Sequence, residues 1–305
     1  MDYKLIVNLV FIMFFLVLIG FLIRKLGILN PVLNKGLSDF LLYVTLPFSI
    51  ITSFNIPFSR TMLYNAGIVL LISLMVHFFA IFISKFRFLK YPPNANKVLR
   101  TATIFSNCGF MGFPILYGIY GTQGIFYGSF YVLTFNILIW TVGVMIFTGQ
   151  KKVGALKQTL NPAVLAVVVG LFFFTFSIKL PTPVYKTLEM VGSMTTPLSM
   201  IIIGSLLSEL KISKVFTGFS IFYVSGIRLL ILPLIVIFFS TLFGVKGIVL
   251  GVPALATAMP VGALVAIFAE KHGADALLAS RAVFLSTFLS VFTIPTVIAL
   301  IQLFP

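Results

Sequence analysis

The chain alternates long apolar stretches with short polar breaks. Apolar runs fall at roughly 5–23, 36–56, 62–84, 100–120, 123–148, 161–178, 184–208, 214–243, 247–269 and 276–303, divided by charged or Pro/Gly-rich segments. A bilayer core about 30 Å thick takes roughly 20 residues of helix. The pattern therefore predicts an all-α membrane protein with ten transmembrane helices. The first run, Leu5 to Ile23, is closed by Arg24 and Lys25. It is too long for the core of a secretory leader and is followed by no small-residue cleavage site, so it is read as a span. The longest connections, Lys85 to Leu99 and Gly149 to Leu160, are too short for a folded soluble domain.

Composition agrees, with 60% hydrophobic and only 9% charged residues in 305. A net charge of +15 would point to nucleic acid in a soluble protein, but the distribution of the charge gives another reading. Counted by alternate loops, fifteen Lys and Arg fall on one side. Lys4, Arg60, Lys179, Lys186 and Lys246 fall on the other, which leaves Arg228 inside a span. The positive-inside rule then makes the first side cytoplasmic and puts both termini outside, in the plasma membrane, with the bilayer rather than nucleic acid as partner. Cys108 is the only cysteine, so no intrachain disulfide forms. Two distant histidines, no H-E-x-x-H, no P-loop and no carboxylate cluster leave no basis for a catalytic residue, a cofactor or a metal site.

The two halves are related in sequence. A shift of 150 residues brings Gly20 onto Gly170, Pro31 onto Pro181, Asp39 onto Glu189, Pro47 onto Pro197, Ser49 onto Ser199 and Ile51 onto Ile201; at 152, Tyr120-Gly121 meets His272-Gly273. The expected domains are residues 1–150 and 151–305, each a five-helix repeat. Five is odd, so the second repeat enters from the opposite face and the repeats are inverted. Inverted repeats are the architecture of alternating-access transporters, whose sites lie near the midplane where helices are discontinuous.

Two equivalent spans carry the signs of such breaks. The fourth reads Ser106-Asn-Cys-Gly-Phe-Met-Gly-Phe-Pro114 and the ninth Thr257-Ala-Met-Pro260-Val-Gly262. Proline removes a backbone donor and glycine tolerates non-helical angles, so backbone groups are released at mid-membrane depth. Such breaks persist where the backbone is packed in protein or lines a cavity. Crossing at their centres, the two helices would aim half-helix N-termini at one point, an arrangement suited to a carboxylate or another anion. The candidate substrate site takes in Asn107, Cys108, Gly109, Gly112 and Pro114 from helix 4, and Thr257, Met259, Pro260, Val261 and Gly262 from helix 9. Asn107 supplies an amide donor.

In their order and spacing, Asn107-Cys-Gly-Phe-Met-Gly-Phe-Pro114, Leu46-Pro47-Phe-Ser, Asn161-Pro162, Thr196-Pro197-Leu and Ala258-Met-Pro260 resemble the signatures of the auxin efflux carrier family, within the bile-acid/arsenite/riboflavin transporter superfamily. The resemblance covers nearly the whole chain. It implies a scaffold domain of helices 1, 2, 6 and 7, a transport domain of helices 3–5 and 8–10, elevator-like motion and a homodimer. It also implies that Asn107 contacts a substrate carboxylate and that Pro47 and Ser49 line the scaffold side of the pocket. The long central loop of many plant members is absent, so the substrate need not be auxin; bacterial relatives are associated with malate and similar acids.

Other candidates keep two readings each. Arg228, near the middle of the eighth span, is either a positive element for an anion or a structural charge, held in an ion pair or snorkelling. His77 is either a packed, hydrogen-bonded histidine or a proton relay. Asp39 and Glu189 sit near the predicted starts of their helices and either meet the helix dipole or couple protons. Tyr127 and Tyr131, at i and i+4 on the fifth span, either border the cavity or pack at an interface. The function expected is a secondary carrier of a small organic anion, driven by proton or membrane potential. A sodium-coupled symporter of the same fold and a non-transporting receptor are the alternatives, although the ninth-span break has no acidic or amide residue to hold sodium.

Overall fold

The computed structural model describes residues 3–149, 161–208 and 218–304. Lys151, Lys152, Lys157, Lys211 and Lys214, which enter the charge count, lie outside the described residues. So does the boundary at 150/151 between the expected repeats. Regular structure among the described residues is helical, apart from one isolated antiparallel bridge between Ser106 and Val261.

The helices are α1 (Tyr3–Lys25), α2 (Pro31–Ser53), α3 (Arg60–Arg87), α4 (Pro93–Ile104), a continuous run Cys108–Thr148, then α7 (Pro162–Thr175), α8 (Thr182–Ser193) and α9 (Thr195–Ser208). α10 (Phe219–Leu242), α11 (Gly247–Ala258), α12 (Ala263–Lys271) and α13 (Ala276–Gln302) follow. Among the described residues six segments are long and apolar enough to cross a bilayer: α2, α3, Cys108–Thr148, Thr182–Ser208, α10 and α13. α7 and α11 are shorter apolar helices.

The 41-residue run Cys108–Thr148 is not one rod. Straight, it would measure about 60 Å, twice a bilayer core. It breaks at Gly121, whose φ of 59° and ψ of −146° are open essentially to glycine alone. A Cβ on Gly124 would lie 2.2 Å from the Leu116 carbonyl oxygen, and one on Gly128 2.7 Å from the Leu116 side chain. In a straight helix residues 116 and 124 would be about 12 Å apart, so the chain reverses here into α5 (108–120) and α6 (122–148). Gly273, the repeat counterpart of Gly121, also has a positive φ, 64°, where the chain turns from α12 to α13.

Among the described residues four five-residue π-helical turns occur, at Leu41–Thr45, Cys108–Gly112, Ile139–Gly143 and Ile227–Ile231. Three end two residues ahead of a proline: Pro47, Pro114 and Pro233. Proline clashes with the carbonyl of the preceding turn, and a wider turn makes room for its ring.

Two compact units emerge from the packing: Met1–Gly67, Gly109–Leu133 and Leu160–Glu209 form the first, and Ile68–Cys108, Thr134–Thr159 and Leu210–Pro305 the second. In the first, α1 and α9 touch backbone to backbone. A Cβ on Gly20 would lie 2.1 Å from the Ile201 carbonyl oxygen, and one on Gly204 1.9 Å from that of Val17. Gly170 of α7, aligned with Gly20 by the 150-residue shift, instead admits a side chain: a Cβ there would lie 2.6 Å from the ring of Phe54, which follows α2. Phe54, Phe126 and Phe174 form an aromatic cluster, with ring centroids 4.7 and 5.2 Å apart about Phe126. In the second unit Trp140 and Phe147 pack on Phe268 of α12, and Phe88 packs on Tyr223 of α10.

The helix starts correct one expectation. α2 begins at Pro31, where the Asn30 side chain accepts from the Leu33 N–H at 2.8 Å, not at residue 36. Asp39 is therefore the ninth residue of its helix and exposed. Glu189 is well inside α8, where it accepts from Tyr185 Oη at 3.0 Å and pairs with Lys186 at 2.7 Å. Neither carboxylate lies in a first turn, so the helix-dipole role is overturned.

Candidate functional site

Both predicted breaks are present, and the structure joins them. α4 stops at Ile104, and Phe105 is extended at φ −106°, ψ 108°. α11 stops at Ala258, and Met259 (φ −64°, ψ 148°) and Gly262 (φ −64°, ψ 135°) carry the chain in extended form to α12. The released segments pair antiparallel. The Asn107 N–H donates to the Pro260 carbonyl at 2.7 Å and the Gly262 N–H to the Phe105 carbonyl at 3.0 Å. Two buried hydroxyls complete the join: Ser106 Oγ donates to the Ala256 carbonyl at 2.9 Å, and Ser286 Oγ accepts from the Val261 N–H at 3.0 Å. Each break thus satisfies backbone groups released by the other, as a medium without water requires.

Arg228 completes this arrangement from α10. Its side chain is 1% exposed. Nε and Nη2 donate to the Thr257 carbonyl at 3.2 and 2.6 Å, and Nη1 donates to the Thr103 and Ile104 carbonyls, both at 2.9 Å. These oxygens close the last turns of α4 and α11, where a helix leaves its acceptors without partners. Each C-terminal end carries roughly half a negative charge, so two ends approximate the single positive charge of the guanidinium. The partners assigned to Arg228 here are main-chain carbonyls, which neither sequence reading anticipated. His77 lies beside this centre: its ring is 6.4 Å from that of Phe105, and Nδ1 is 2.7 Å from the Ser73 carbonyl.

The N-terminal ends are arranged differently. α12, opened by Gly262, has no side-chain cap, and α5 begins directly after Asn107 with the π turn Cys108–Gly112. With the negative ends occupied by Arg228, the N-terminus of α12 is left without a side-chain cap, and backbone N–H groups at such an end suit an anion. Asn107 is 6% exposed, and among the described residues its carboxamide makes no hydrogen bond. Cys108, Thr257, Met259 and Val261 are fully buried, and Pro260 and Gly262 are buried beside them.

Within the second unit the structure brings Asn107, Thr257, Pro260, Val261, Gly262 and Arg228 together. Gly109, Gly112, Pro114, Tyr127, Tyr131, Pro47, Ser49, Asp39 and Glu189 belong to the first unit. There Tyr127 and Tyr131 are buried, at 3% and 0% exposure, and Tyr127 hydrogen-bonds the side chain of Asn65. Gly192 of α8 packs on the Ser49 main chain, where a Cβ would lie 2.8 Å from its nitrogen. Ser106 and Ser286 are the residues that sequence reasoning missed; Ser106 adjoins the fourth-span motif, while nothing in the sequence singles out Ser286. Among the described residues no three His, Cys, Asp or Glu converge as metal ligands.

Apolar helices of bilayer length, with two interrupted helices joined through their main chains, define a multi-pass integral membrane protein of the transporter class. The chain belongs to the membrane transport protein family, matched over residues 5–155 and 150–298, which is the auxin efflux carrier family that its motifs resemble. It is 27% identical over 289 residues to an uncharacterized transporter of Methanothermobacter thermautotrophicus, covering 92% of this chain and 93% of that protein. It is 24% identical over 301 residues to an uncharacterized transporter of Methanocaldococcus jannaschii, covering 94% and 96%.

Proposed function

We propose that this membrane transporter is a secondary carrier of a small organic anion, a carboxylate of the auxin-like or dicarboxylic kind, driven by proton or membrane potential. The observation that carries this reading is the asymmetry of the crossover: Arg228 occupies the C-terminal half-helix ends, and the uncapped N-terminus of α12 and the Asn107 amide are left for a negative ligand. In this reading the ten spans form two inverted repeats, 1–150 and 151–305. The positive φ at both Gly121 and Gly273 supports it. Helices 1, 2, 6 and 7 act as scaffold and 3–5 and 8–10 as the moving body, in a plasma-membrane homodimer with both termini outside. Pro47, Ser49, Tyr127 and Tyr131 remain further candidates for substrate contact, and Asp39, Glu189 and His77 are the candidates for proton coupling.

The test is counterflow in proteoliposomes, with radiolabelled malate and indole-3-acetate as probes, in sodium and in sodium-free buffer. Exchange of either anion above protein-free liposomes, undiminished without sodium, is the expected result. No exchange of either would reject these two anions as cargo, and exchange that vanishes without sodium would replace the proton or potential drive.

A further inference from the structure

We propose that Arg228 is a positioning residue, the built-in cation that fastens the C-terminal ends of α4 and α11, in a place that would otherwise call for an inorganic ion. Three main-chain oxygens, those of Thr103, Ile104 and Thr257, converge on its guanidinium at 2.6–3.2 Å. Converging carbonyls at helix ends are the donor set that hard cations take in proteins and channel filters. Here the side chain supplies the charge. Its planar fork, with five donors, reaches two helices at once, whereas a lysine ammonium has three donors at a single point. The side chain leaves α10 from the π turn Ile227–Ile231, and its partners on α4 and α11 lie 124 or more residues away in one direction and 29 in the other. Arg228 thus acts on the ligand site through the half-helices, holding the pairing of Asn107 with Pro260 and of Gly262 with Phe105 in register. The inference rests on the carrier reading, but its test needs no substrate, so the two fail separately.

The sole cysteine provides the readout, because Cys108 is fully buried at the crossover. Its rate of alkylation by N-ethylmaleimide in the purified full-length protein reports opening of this region. Arg228→Ala is expected to raise that rate by about tenfold to a hundredfold, the loss of one or more charge-assisted hydrogen bonds. Millimolar methylguanidinium should return both the rate and the melting temperature towards wild type, and methylammonium at the same concentration should not. Arg228→Lys, the variant to use where the alanine protein does not fold, should label faster than wild type. Wild type itself should label at one rate in sodium chloride and in choline chloride. Failure of methylguanidinium to protect a folded Arg228→Ala protein, wild-type labelling in Arg228→Lys, or sodium-dependent protection of wild type would each overturn the proposal.

Discussion

Gly262→Ala tests the crossover at its tightest point. The φ of −64° and ψ of 135° suit alanine as well as glycine, so the substitution adds no backbone strain and acts only through its methyl group. That methyl would lie 3.1 Å from the Ser106 carbonyl oxygen and 3.4 Å from that of Phe105. Both neighbours are main chain, and neither can rotate away. Relief requires the paired strands to part by about 0.3 Å, which stretches the 3.0 Å bond from the Gly262 N–H to Phe105. Overpacking of this kind costs about 1–3 kcal/mol, alanine at the low end and valine at the high end. At about 2–4 °C per kcal/mol, the valine variant should melt several degrees below wild type in detergent and label faster at Cys108. Gly67→Ala is the control: it lies within α3 with nothing within 4 Å of the added carbon, and alanine should stabilise a helix there by about 0.5–1 kcal/mol. A Gly262→Val protein that melts and labels as wild type would refute the claim that main-chain pairing limits this site.

Asn107→Ala should weaken binding of whichever probe anion exchanges in counterflow by about tenfold to a hundredfold, the loss of one donor to a charged group. Asn107→Asp should weaken it further by placing a like charge beside the carboxylate, and ligand-induced thermal shift checks both. Gly204→Ala would put a methyl 1.9 Å from the Val17 carbonyl oxygen, a contact that only separation of α1 and α9 can relieve. Its melting temperature should fall by more than that of Gly262→Ala.

The ninth-span break was legible in the sequence because its chemistry is local: Pro260 and Gly262 announce a helix that cannot continue. In the fourth span the break falls at residues 105–107, and Gly109, Gly112 and Pro114 belong to the helix that starts just after it. The reversal at Gly121 was legible as the gap between the apolar runs 100–120 and 123–148, although the helical run around it is long enough to pass for a single rod. What main-chain atoms accomplish left no trace in the sequence. Thr103, Ile104 and Thr257 serve Arg228 through carbonyls that any residue would supply, so the sequence directed attention to an anion or an acidic partner instead. Helix starts were misread where polar residues occupy a first turn. Asn34 and Lys35 made α2 look shorter than it is, and that error carried Asp39 into a helix-dipole role it does not have.

The pairing of α4 with α11 through backbone groups has an evolutionary consequence. A frame whose register is written in N–H and C=O groups constrains few side-chain identities beyond glycine, proline, Arg228 and the hydroxyls of Ser106 and Ser286. Side chains around the frame are then free to drift towards a new cargo without renegotiating the fold.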